Sequence, residues 1–218
     1  MDEKAKLKLY PLSDLARNNP SDPIRYYYWP IIGPLYRRRV ELCLSECRGG
    51  ERILEVGFGI GLTFQNLAGI YQEVHGIDLM ADVEKVSRYF EEKGIRTHLR
   101  NGNVLQMPYP DSMFDTVLLI SILEHLKPEE QSLAMTEIKR VLKPGGQLVY
   151  GVPVERPLMA FIFRLMGYDI RKLHFSTEKD VDRAANQVFR CVQSLDMRSF
   201  IPGSGVIYQI GHYAKFAE

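Results

Sequence analysis

Apolar and polar positions form blocks that alternate between two periods along the middle of the chain. Short apolar runs such as ERILEVG, EVHGIDL and TVLLIS have the length and composition of buried strands. Between them, segments such as MADVEKVSRYFEEKG and KPEEQSLAMTEIKRVLKPGG carry apolar residues at helical spacing and stop at glycine. Alternation of this kind up to residue 153 predicts a parallel sheet with helices on both faces.

The pattern changes after residue 153. The segment ERPLMAFIFRLMGYDIRKLHFS alternates apolar and basic residues and is longer than a simple crossover, so we expect a substrate-side insertion at about 154–180. A helix then begins in STEKDVDRAANQ, with Ser176 or Thr177 as its cap and Asp180 completing an acidic capping box. FRCVQSLDMRSF and GVIYQIGHYAKF, separated by IPGSG, predict an antiparallel pair that closes a sheet of seven strands.

The first fifty residues differ from the rest. Residues 1–22 are polar and contain the turn-rich break ARNNPSDP. IRYYYWPIIG follows, aromatic and interrupted by proline, and a helix is predicted from about Pro34 to Cys47. We therefore expect residues 1–50 to form an N-terminal helical and aromatic cap or lid over a main domain at 51–218.

Composition narrows the class of protein. The 218 residues and 25.1 kDa suit one large domain, with ordinary globular fractions of 45% apolar and 25% charged residues. The 28 basic and 27 acidic residues leave a net charge of +1, which argues against bulk electrostatic binding to nucleic acid. The N-terminus MDEKAKLKLY is charged, and no apolar run is long enough to span a membrane. We expect a soluble, cytoplasmic protein, and its oligomeric state stays open.

The cysteines give no sign of a disulfide framework or a metal centre. There are three cysteines, of which Cys43 and Cys47 share one predicted helix face. No histidine or further cysteine lies beside them in the sequence to complete a zinc set. We expect two small buried side chains there and no metal.

The most informative stretch is ILEVGFGIGL, in which three glycines follow the first predicted strand. Gly57, Gly59 and Gly61 read G-x-G-x-G, whereas the dinucleotide fingerprint is G-x-G-x-x-G, and Leu62 stands where its third glycine would be. Glu55 precedes the first glycine by two positions; its charge would repel a pyrophosphate and attract a cationic ligand. S-adenosylmethionine, which carries an ammonium and a sulfonium and no phosphate, fits this pattern better than a nicotinamide dinucleotide does.

A second acid supports an adenosine ligand. Asp78 ends the second predicted strand in GIDL, where a carboxylate can accept both hydroxyls of a ribose. An NAD-binding protein would place an acid there as well, so Asp78 indicates only that the ligand contains adenosine. The glycine spacing then favours S-adenosylmethionine over a nicotinamide dinucleotide. A nicotinamide-dependent enzyme is also disfavoured because no hydride-transfer constellation is evident.

Four segments in order now resemble a known family: EVGFGIG, GIDL, NGNVLQMPYPDSMFDTVLLISILEHL and EIKRVLKPGGQLVYGVP. They are similar to successive motifs of class I S-adenosylmethionine-dependent methyltransferases, in particular the small-molecule subgroup that includes the ubiquinone/menaquinone-biosynthesis enzymes. The resemblance covers residues 51–153. It implies a Rossmann-like fold and methyl transfer from S-adenosylmethionine to a small molecule, leaving S-adenosylhomocysteine.

The resemblance also implies cofactor-binding positions. The glycines would pass beneath the methionine and ribose, Glu55 would orient the amino group, and Asp78 would hold the ribose diol. Where the family usually has an acid followed by an apolar residue against the adenine, this chain has Asn103 and Val104; the amide carbonyl of Asn103 can still accept a hydrogen bond, although NGN is also an ordinary turn sequence. The full implied set is Glu55, Gly57, Gly59, Gly61, Asp78, Leu79 flanking the adenine, Asn103, Val104 and Ser121 at the methionine end.

Two histidines are candidates for the acceptor side. His125 in SILEHL occupies a family-like position near the transferred methyl group, as a general base or as a packed residue at a helix start. His174 faces the substrate or fastens the insertion. Glu124, beside His125, is interpreted as structural, and so is Asp115 at the start of the fourth strand, remote from the ligand end.

The run RYYYWP has two interpretations. Tyr26, Tyr27, Tyr28 and Trp29 form a lid that encloses the sulfonium by cation–π contact, or they are a packed flank of the core. The basic run at 37–39 and the aromatic and basic insertion favour an amphiphilic, aromatic or anionic acceptor.

The segment after the fourth predicted strand distinguishes between kinds of methyltransferase. A DNA amino-methyltransferase would show Asn/Asp-Pro-Pro-aromatic where this chain reads SILEHL, and an arginine methyltransferase would show paired glutamates. A small-molecule acceptor follows from elimination and from the resemblance. The alternative is an S-adenosylmethionine-binding, non-catalytic partner of another methyltransferase, which only a turnover assay separates from an enzyme.

Overall fold

The computed structural model describes residues 5–11, 24–154, 174–198 and 205–216. Helices lie between most of the strands that the structure describes. The helices are α1 (Arg25–Tyr28), α2 (Gly33–Glu46), α3 (Phe64–Leu67), α4 (Val83–Glu91), α5 (Pro128–Val141) and α6 (Glu178–Val188). The strands are β1 (Gly50–Val56), β2 (Tyr71–Asp78), β3 (Thr97–Asn101), β4 (Phe114–Ile120), β5 (Leu142–Pro153), β6 (Arg190–Arg198) and β7 (Val206–Ala214), and a 3₁₀ helix covers Leu123–His125.

The strands form one seven-stranded sheet in the order β3-β2-β1-β4-β5-β7-β6. β1 to β5 pair in parallel, and β7 runs antiparallel to both β5 and β6. The predicted Rossmann-like sheet with an antiparallel C-terminal hairpin is therefore confirmed. Strand order reverses between β1 and β4, so their carboxyl ends border the crevice where ligands bind in open α/β sheets.

Each face of the sheet has its own apolar core. Along β1 the side chains alternate, so Ile53 packs with α1 to α4 on one face, whereas Leu54 packs with α5 and α6 on the other. Both residues are fully buried, as expected for a strand covered on both sides. Cys43 and Cys47 are buried free thiols, as predicted from their spacing.

The N-terminal residues pack on the first of these cores. Leu7 and Tyr10 are buried, and the Tyr10 ring meets the ring of Phe90 edge-on at 5.6 Å. The Leu7 amide donates to Glu41 of α2 at 3.2 Å, and the Lys8 amide donates to Asn66 of α3 at 3.0 Å. Residues 5–11 thus join α2, α3 and α4 across the face of the sheet.

Two element boundaries differ from the sequence prediction. The α5 helix ends at Val141, and β5 begins at once, so Pro144-Gly145-Gly146 lies inside the strand instead of stopping the helix. The pairing with β4 skips from Leu142 to Gln147 there, which accommodates the Pro-Gly-Gly sequence as a bulge. The segment LTFQNLAGI contains only a four-residue helix flanked by turns.

The C-terminal helix follows the prediction closely. Thr177 caps α6, accepting from the Asp180 amide while the Asp180 carboxylate accepts from the Thr177 amide at 3.0 Å. Within the described parts of the chain, no helix is both long and apolar enough to cross a membrane. The predicted insertion falls largely at 155–173, outside the described residues.

Candidate functional site

The glycine run forms a tight turn directly after β1. Gly57, Gly59 and Gly61 have φ of +74°, +53° and +74°, a region that side chains rarely adopt. The Gly57 amide donates to Ile77 of β2 at 2.7 Å. A Cβ on Gly57 would lie 2.0 Å from Cδ1 of Ile122, so the Ile122 side chain would have to move to admit any other residue.

Asp78 links the ends of the first two strands. Its Oδ2 accepts from the Gly59 amide at 2.9 Å, and its Oδ1 accepts from the amides of Met80 and Ala81 at 2.8 and 2.9 Å. Two carboxylate oxygens offer about four acceptor positions, so room remains for a ligand hydroxyl. Leu79 and Met80 are 67% and 85% exposed beside it, an apolar surface suited to a planar base.

Glu55 is a buried acid under the turn. The Thr63 hydroxyl donates to its carboxylate. Burial raises the pKa of Glu55 to about 8, which this hydrogen bond opposes and the charge of Asp78 increases. A cationic group of a ligand would favour the ionised form, so the acid fits S-adenosylmethionine better than a phosphate-bearing ligand.

Asn103 and Val104 follow β3 at the same edge. The Gly102 amide donates to the carbonyl of Asp78 at 3.0 Å, which holds this loop against the end of β2. Asn103 is exposed and its Oδ1 accepts from the Leu105 amide at 3.0 Å, an Asx turn, while Val104 is buried. The side-chain amide group of Asn103 is thereby oriented with its carbonyl turned toward the backbone.

Ser121 lies at the end of β4, with φ of +57°. Its amide donates to Gly151 of β5 at 2.8 Å, and its hydroxyl lies 3.0 Å from the hydroxyl of Tyr208. Arg39 of α2 donates to the same Ser121 oxygen at 3.2 Å. Ser121 is therefore the point where β4, β7 and the N-terminal helix meet.

Arg39 and Tyr208 are site residues that sequence reasoning missed. The Arg39 guanidinium lies 4.6 Å from the ring centroid of Tyr36 and donates to the Tyr27 hydroxyl at 2.9 Å. Tyr208 is buried, and a Cβ on Gly151 would lie 2.5 Å from its ring. The basic run at 37–39 was the one available signal, and it does not distinguish Arg39 from its neighbours.

The four predicted lid aromatics occupy different environments. Tyr27 is buried and reaches the site edge through Arg39, whereas Trp29 is 46% exposed and stacks on Tyr26 with ring centroids 6.2 Å apart. The Tyr28 hydroxyl donates to the carbonyl of Tyr10. Tyr27 is thus joined to Ser121 through Arg39, which donates to both side chains.

His125 and His174 meet beside the end of β4. The 3₁₀ helix Leu123–His125 begins directly after Ile122, the residue that touches the glycine turn. The centroids of the two imidazole rings lie 5.4 Å apart. Glu124 between them is 2% exposed, and burial raises its pKa to about 8. The structure thus brings together two predicted candidates and an acid that the sequence presented as structural.

Asp115 stands at the opposite end of β4. Its carboxylate accepts from the amides of Glu51 and Arg52 at 3.0 and 2.7 Å and from Lys143 at 3.0 Å. These contacts tie β1, β4 and β5 together at the edge away from the glycine turn. The structural interpretation of Asp115 agrees with its position.

The chain is similar to known proteins. Residues 54–150 match the methyltransferase domain family. An O-methyltransferase, cnsE, of Penicillium expansum is 32% identical over 59% of this chain and 47% of its own. The ubiquinone/menaquinone biosynthesis C-methyltransferase UbiE of Stutzerimonas stutzeri is 35% identical over 55% of this chain and 49% of its own.

A solved structure extends the comparison to almost the whole chain. The N-methyltransferase NodS of Bradyrhizobium japonicum, crystallised with S-adenosyl-L-homocysteine, superposes with a TM-score of 0.65 at 19% identity, over 93% of this chain and 97% of its own. At that identity the likeness concerns the fold. The chain spans about half the length of the curated relatives it matches.

Residues 54–150 are thus the part of the chain that matches a methyltransferase domain. The fold is that of class I S-adenosylmethionine-dependent methyltransferases. S-adenosylmethionine is the cofactor of that class, and the glycine turn, Asp78 and the exposed Leu79 and Met80 lie together at the ends of β1 and β2.

Proposed function

We propose that this protein transfers the methyl group of S-adenosylmethionine to a small-molecule acceptor, and that the residues predicted from the sequence bind the cofactor. One observation carries the proposal: the Gly59 amide and the Asp78 carboxylate are joined at 2.9 Å at the switch point of the sheet, above buried Glu55. The glycine backbone, the acid assigned to the ribose (Asp78) and the acid assigned to the cationic group (Glu55) thus lie along one edge of the crevice.

The cofactor supplies a sulfonium methyl that an acceptor lone pair displaces in line, the C–S electron pair remaining on sulfur. The chain aligns the reactants and excludes water. Asp78 holds the ribose, Glu55 faces the ammonium, and Val104 packs against the adenine with Leu79. Ser121 borders the methionine end, where Arg39 adds a fixed positive charge.

The acceptor side is assigned to His125 and His174. Their rings lie 5.4 Å apart next to the end of β4, within reach of the crevice that Ile122 borders. Where the acceptor atom carries a proton, either imidazole accepts it as the bond to the methyl carbon forms. Tyr26, Tyr27, Tyr28 and Trp29, with the N-terminal region at 1–50, are assigned to a lid over the crevice, and the arginine-bearing α2 favours an amphiphilic, aromatic or anionic acceptor.

A calorimetric titration with S-adenosylhomocysteine tests the cofactor assignment. We expect micromolar binding that Asp78→Ala weakens by at least about tenfold, because a hydrogen-bonded charge is lost. Asp196→Ala on the exposed edge strand β6 is the matched control, since it removes an acid far from the turn. NADH should give no heat. Failure of the wild-type protein to bind S-adenosylhomocysteine would refute the proposal.

A turnover assay distinguishes the enzyme from its alternative. Formation of S-adenosylhomocysteine is measured against a panel of phenols, quinols, amines and amphiphilic acids. Methyl transfer to any of them supports the enzyme, whereas tight cofactor binding without turnover would favour a non-catalytic partner of another methyltransferase. Every named relative described above is a methyltransferase, and none favours that alternative.

A further inference from the structure

Three side chains able to bind a metal meet beside the end of β4. Glu124 and His125 are consecutive in the 3₁₀ helix, and His174 lies fifty positions after Glu124. One ligand atom from each lies within 4.8 Å of the other two. The sequence predicted no metal, because this set is assembled from segments far apart in the chain.

Glu124 is the unusual member of the group. Its side chain is 2% exposed, and its Oε2 has no hydrogen-bond partner among the described residues. A buried carboxylate oxygen without a donor is costly unless a proton or a cation accompanies it. Arg39 is the nearby positive charge, but its described hydrogen bonds go to Tyr27 and Ser121.

Backbone contacts fix His174 relative to Glu124. The amides of Phe175 and Ser176 donate to the Glu124 carbonyl at 2.8 and 3.2 Å. The Ser176 hydroxyl donates to the carbonyl of Leu126 at 2.7 Å. The two segments are thus fastened on both sides of the group, so its geometry is largely established before any ion binds.

We propose that Glu124, His125 and His174 form a binding site for one divalent first-row transition-metal ion, such as Zn²⁺ or Co²⁺. Two imidazoles and one carboxylate suit such ions, whereas Mg²⁺ prefers oxygen ligands alone. Bonds of about 2.0–2.1 Å in a tetrahedral site place ligand atoms roughly 3.4 Å apart, so a small closure is required. His125 is exposed and can rotate to provide it.

The position of the site indicates how a bound ion would act, and this rests on the proposed function. With the ion bound, the two imidazoles act as its ligands instead of accepting a proton from the acceptor. Three protein ligands leave a coordination position open to water or to an acceptor oxygen. Glu124 and His125 follow closely in the chain after Ser121 and after Ile122, whose side chain meets the glycine turn. An acceptor with a metal-binding hydroxyl or carboxylate would therefore be held at the methyl end of the crevice.

A second group of similar residues provides a contrast. Glu73, His75 and His98 also place ligand atoms within 4.8 Å of one another. There the Glu73 carboxylate already accepts from Arg52 at 2.9 Å and lies 3.1 Å from His75. Because its acid is paired, this group serves as the control site.

Metal-stripped, reduced protein is titrated with Co²⁺ while d–d absorption is recorded, and with Zn²⁺ and Mg²⁺ by calorimetry. We expect one equivalent of Co²⁺ or Zn²⁺, no Mg²⁺ heat, and at least about tenfold weaker Zn²⁺ binding in Glu124→Gln, His125→Gln and His174→Gln. His98→Gln should bind as the wild type does. S-adenosylhomocysteine affinity and the melting temperature, measured for each variant, show that it is folded.

The outcomes are separable from those of the proposed function. Zn²⁺ binding that all three variants retain, binding that His98→Gln abolishes, or a thiolate charge-transfer band with Co²⁺ would overturn the site. Absence of any Co²⁺ or Zn²⁺ binding would do the same. None of these results depends on turnover or on S-adenosylhomocysteine binding, so the cofactor assignment stands or falls on its own experiment.

Discussion

At the scale of single residues, two opposing effects act on Glu55: burial favours its neutral form, and a cationic ligand would favour its charged form. Glu55 is buried deeply enough that its pKa rises from 4.5 to about 8, yet its charged form suits a cationic ligand. The Thr63 hydroxyl gives the carboxylate a donor. The unliganded protein therefore holds a largely neutral acid at pH 7, and the ligand provides the charge that ionises it.

This pKa predicts how stability depends on pH. Between about pH 4.5 and pH 8 the folded protein binds more protons at Glu55 than the unfolded chain does, so its contribution is full below that window and is lost as pH rises through it. Glu55→Gln removes this dependence on pH, which lowers the unfolding free energy of the wild type by at most about 1.4 kcal/mol per pH unit. Urea denaturation at pH 5, 6, 7 and 8 measures it. Parallel plots of unfolding free energy against pH for the two proteins would contradict the prediction, and Glu91→Gln, at an exposed acid on α4, is the control.

Gly57 supports a second prediction at this scale. Gly57→Ala places a methyl group 2.0 Å from Ile122 and at φ of +74°, so we expect a loss of about 2–4 kcal/mol from overpacking and backbone strain together. Gly94→Ala is the matched control, because Gly94 has φ of +73° and nothing within 4 Å of its added Cβ. It should lose only the strain component, about 1 kcal/mol. If urea denaturation shows that Gly57→Ala and Gly94→Ala lose the same unfolding free energy, the Ile122 side chain moves aside at little cost.

At the scale of elements, Arg39 joins α2 to the end of β4. Arg39 lies 82 residues from Ser121 in sequence and 3.2 Å from it in space, and it also lies over Tyr36. Arg39→Lys loses the planar stacking and one of two donors, so we expect a loss of about 1–3 kcal/mol and weaker S-adenosylhomocysteine binding. Arg88→Lys on the exposed face of α4 is the control. Unchanged stability and affinity, by denaturation and calorimetry, would rule out this attachment.

The elements also show what the sequence can reveal. The strands were predictable because β1, β2 and β4 are apolar on both faces, and the glycine turn was predictable because its spacing departs from the dinucleotide pattern. The β5 bulge at Pro144-Gly145 was not, since a Pro-Gly-Gly sequence stops a helix and tolerates a bulge equally well by local rules. Long-range pairs such as Ser121 with Tyr208, 87 residues apart, have no local signature.

At the scale of the whole molecule, the N-terminal segment and the sheet share one core. Ala5, Leu7 and Tyr10 are buried, although the sequence places them in a polar region before a turn-rich break. Their contacts reach α2 through Glu41 and α4 through Phe90. Since α3 and α4 border the glycine turn and the end of β2, the integrity of the crevice depends on residues far from it in sequence.

Deletion of residues 1–11 tests this dependence. Each buried apolar side chain contributes roughly 1.5–3 kcal/mol, so losing Leu7 and Tyr10 with their backbone hydrogen bonds should cost more than about 3 kcal/mol. For a chain of this size that lowers the melting temperature by about 10 °C. The matched control is Lys6→Ala with Lys8→Ala in the full-length chain, which changes exposed side chains and keeps the backbone bonds to Asn66. A truncated protein that melts with the wild type would show that the segment is dispensable. If S-adenosylhomocysteine raises the melting temperature of the truncated protein less than that of the wild type, the deletion has also weakened the crevice, because the size of the shift depends on ligand affinity.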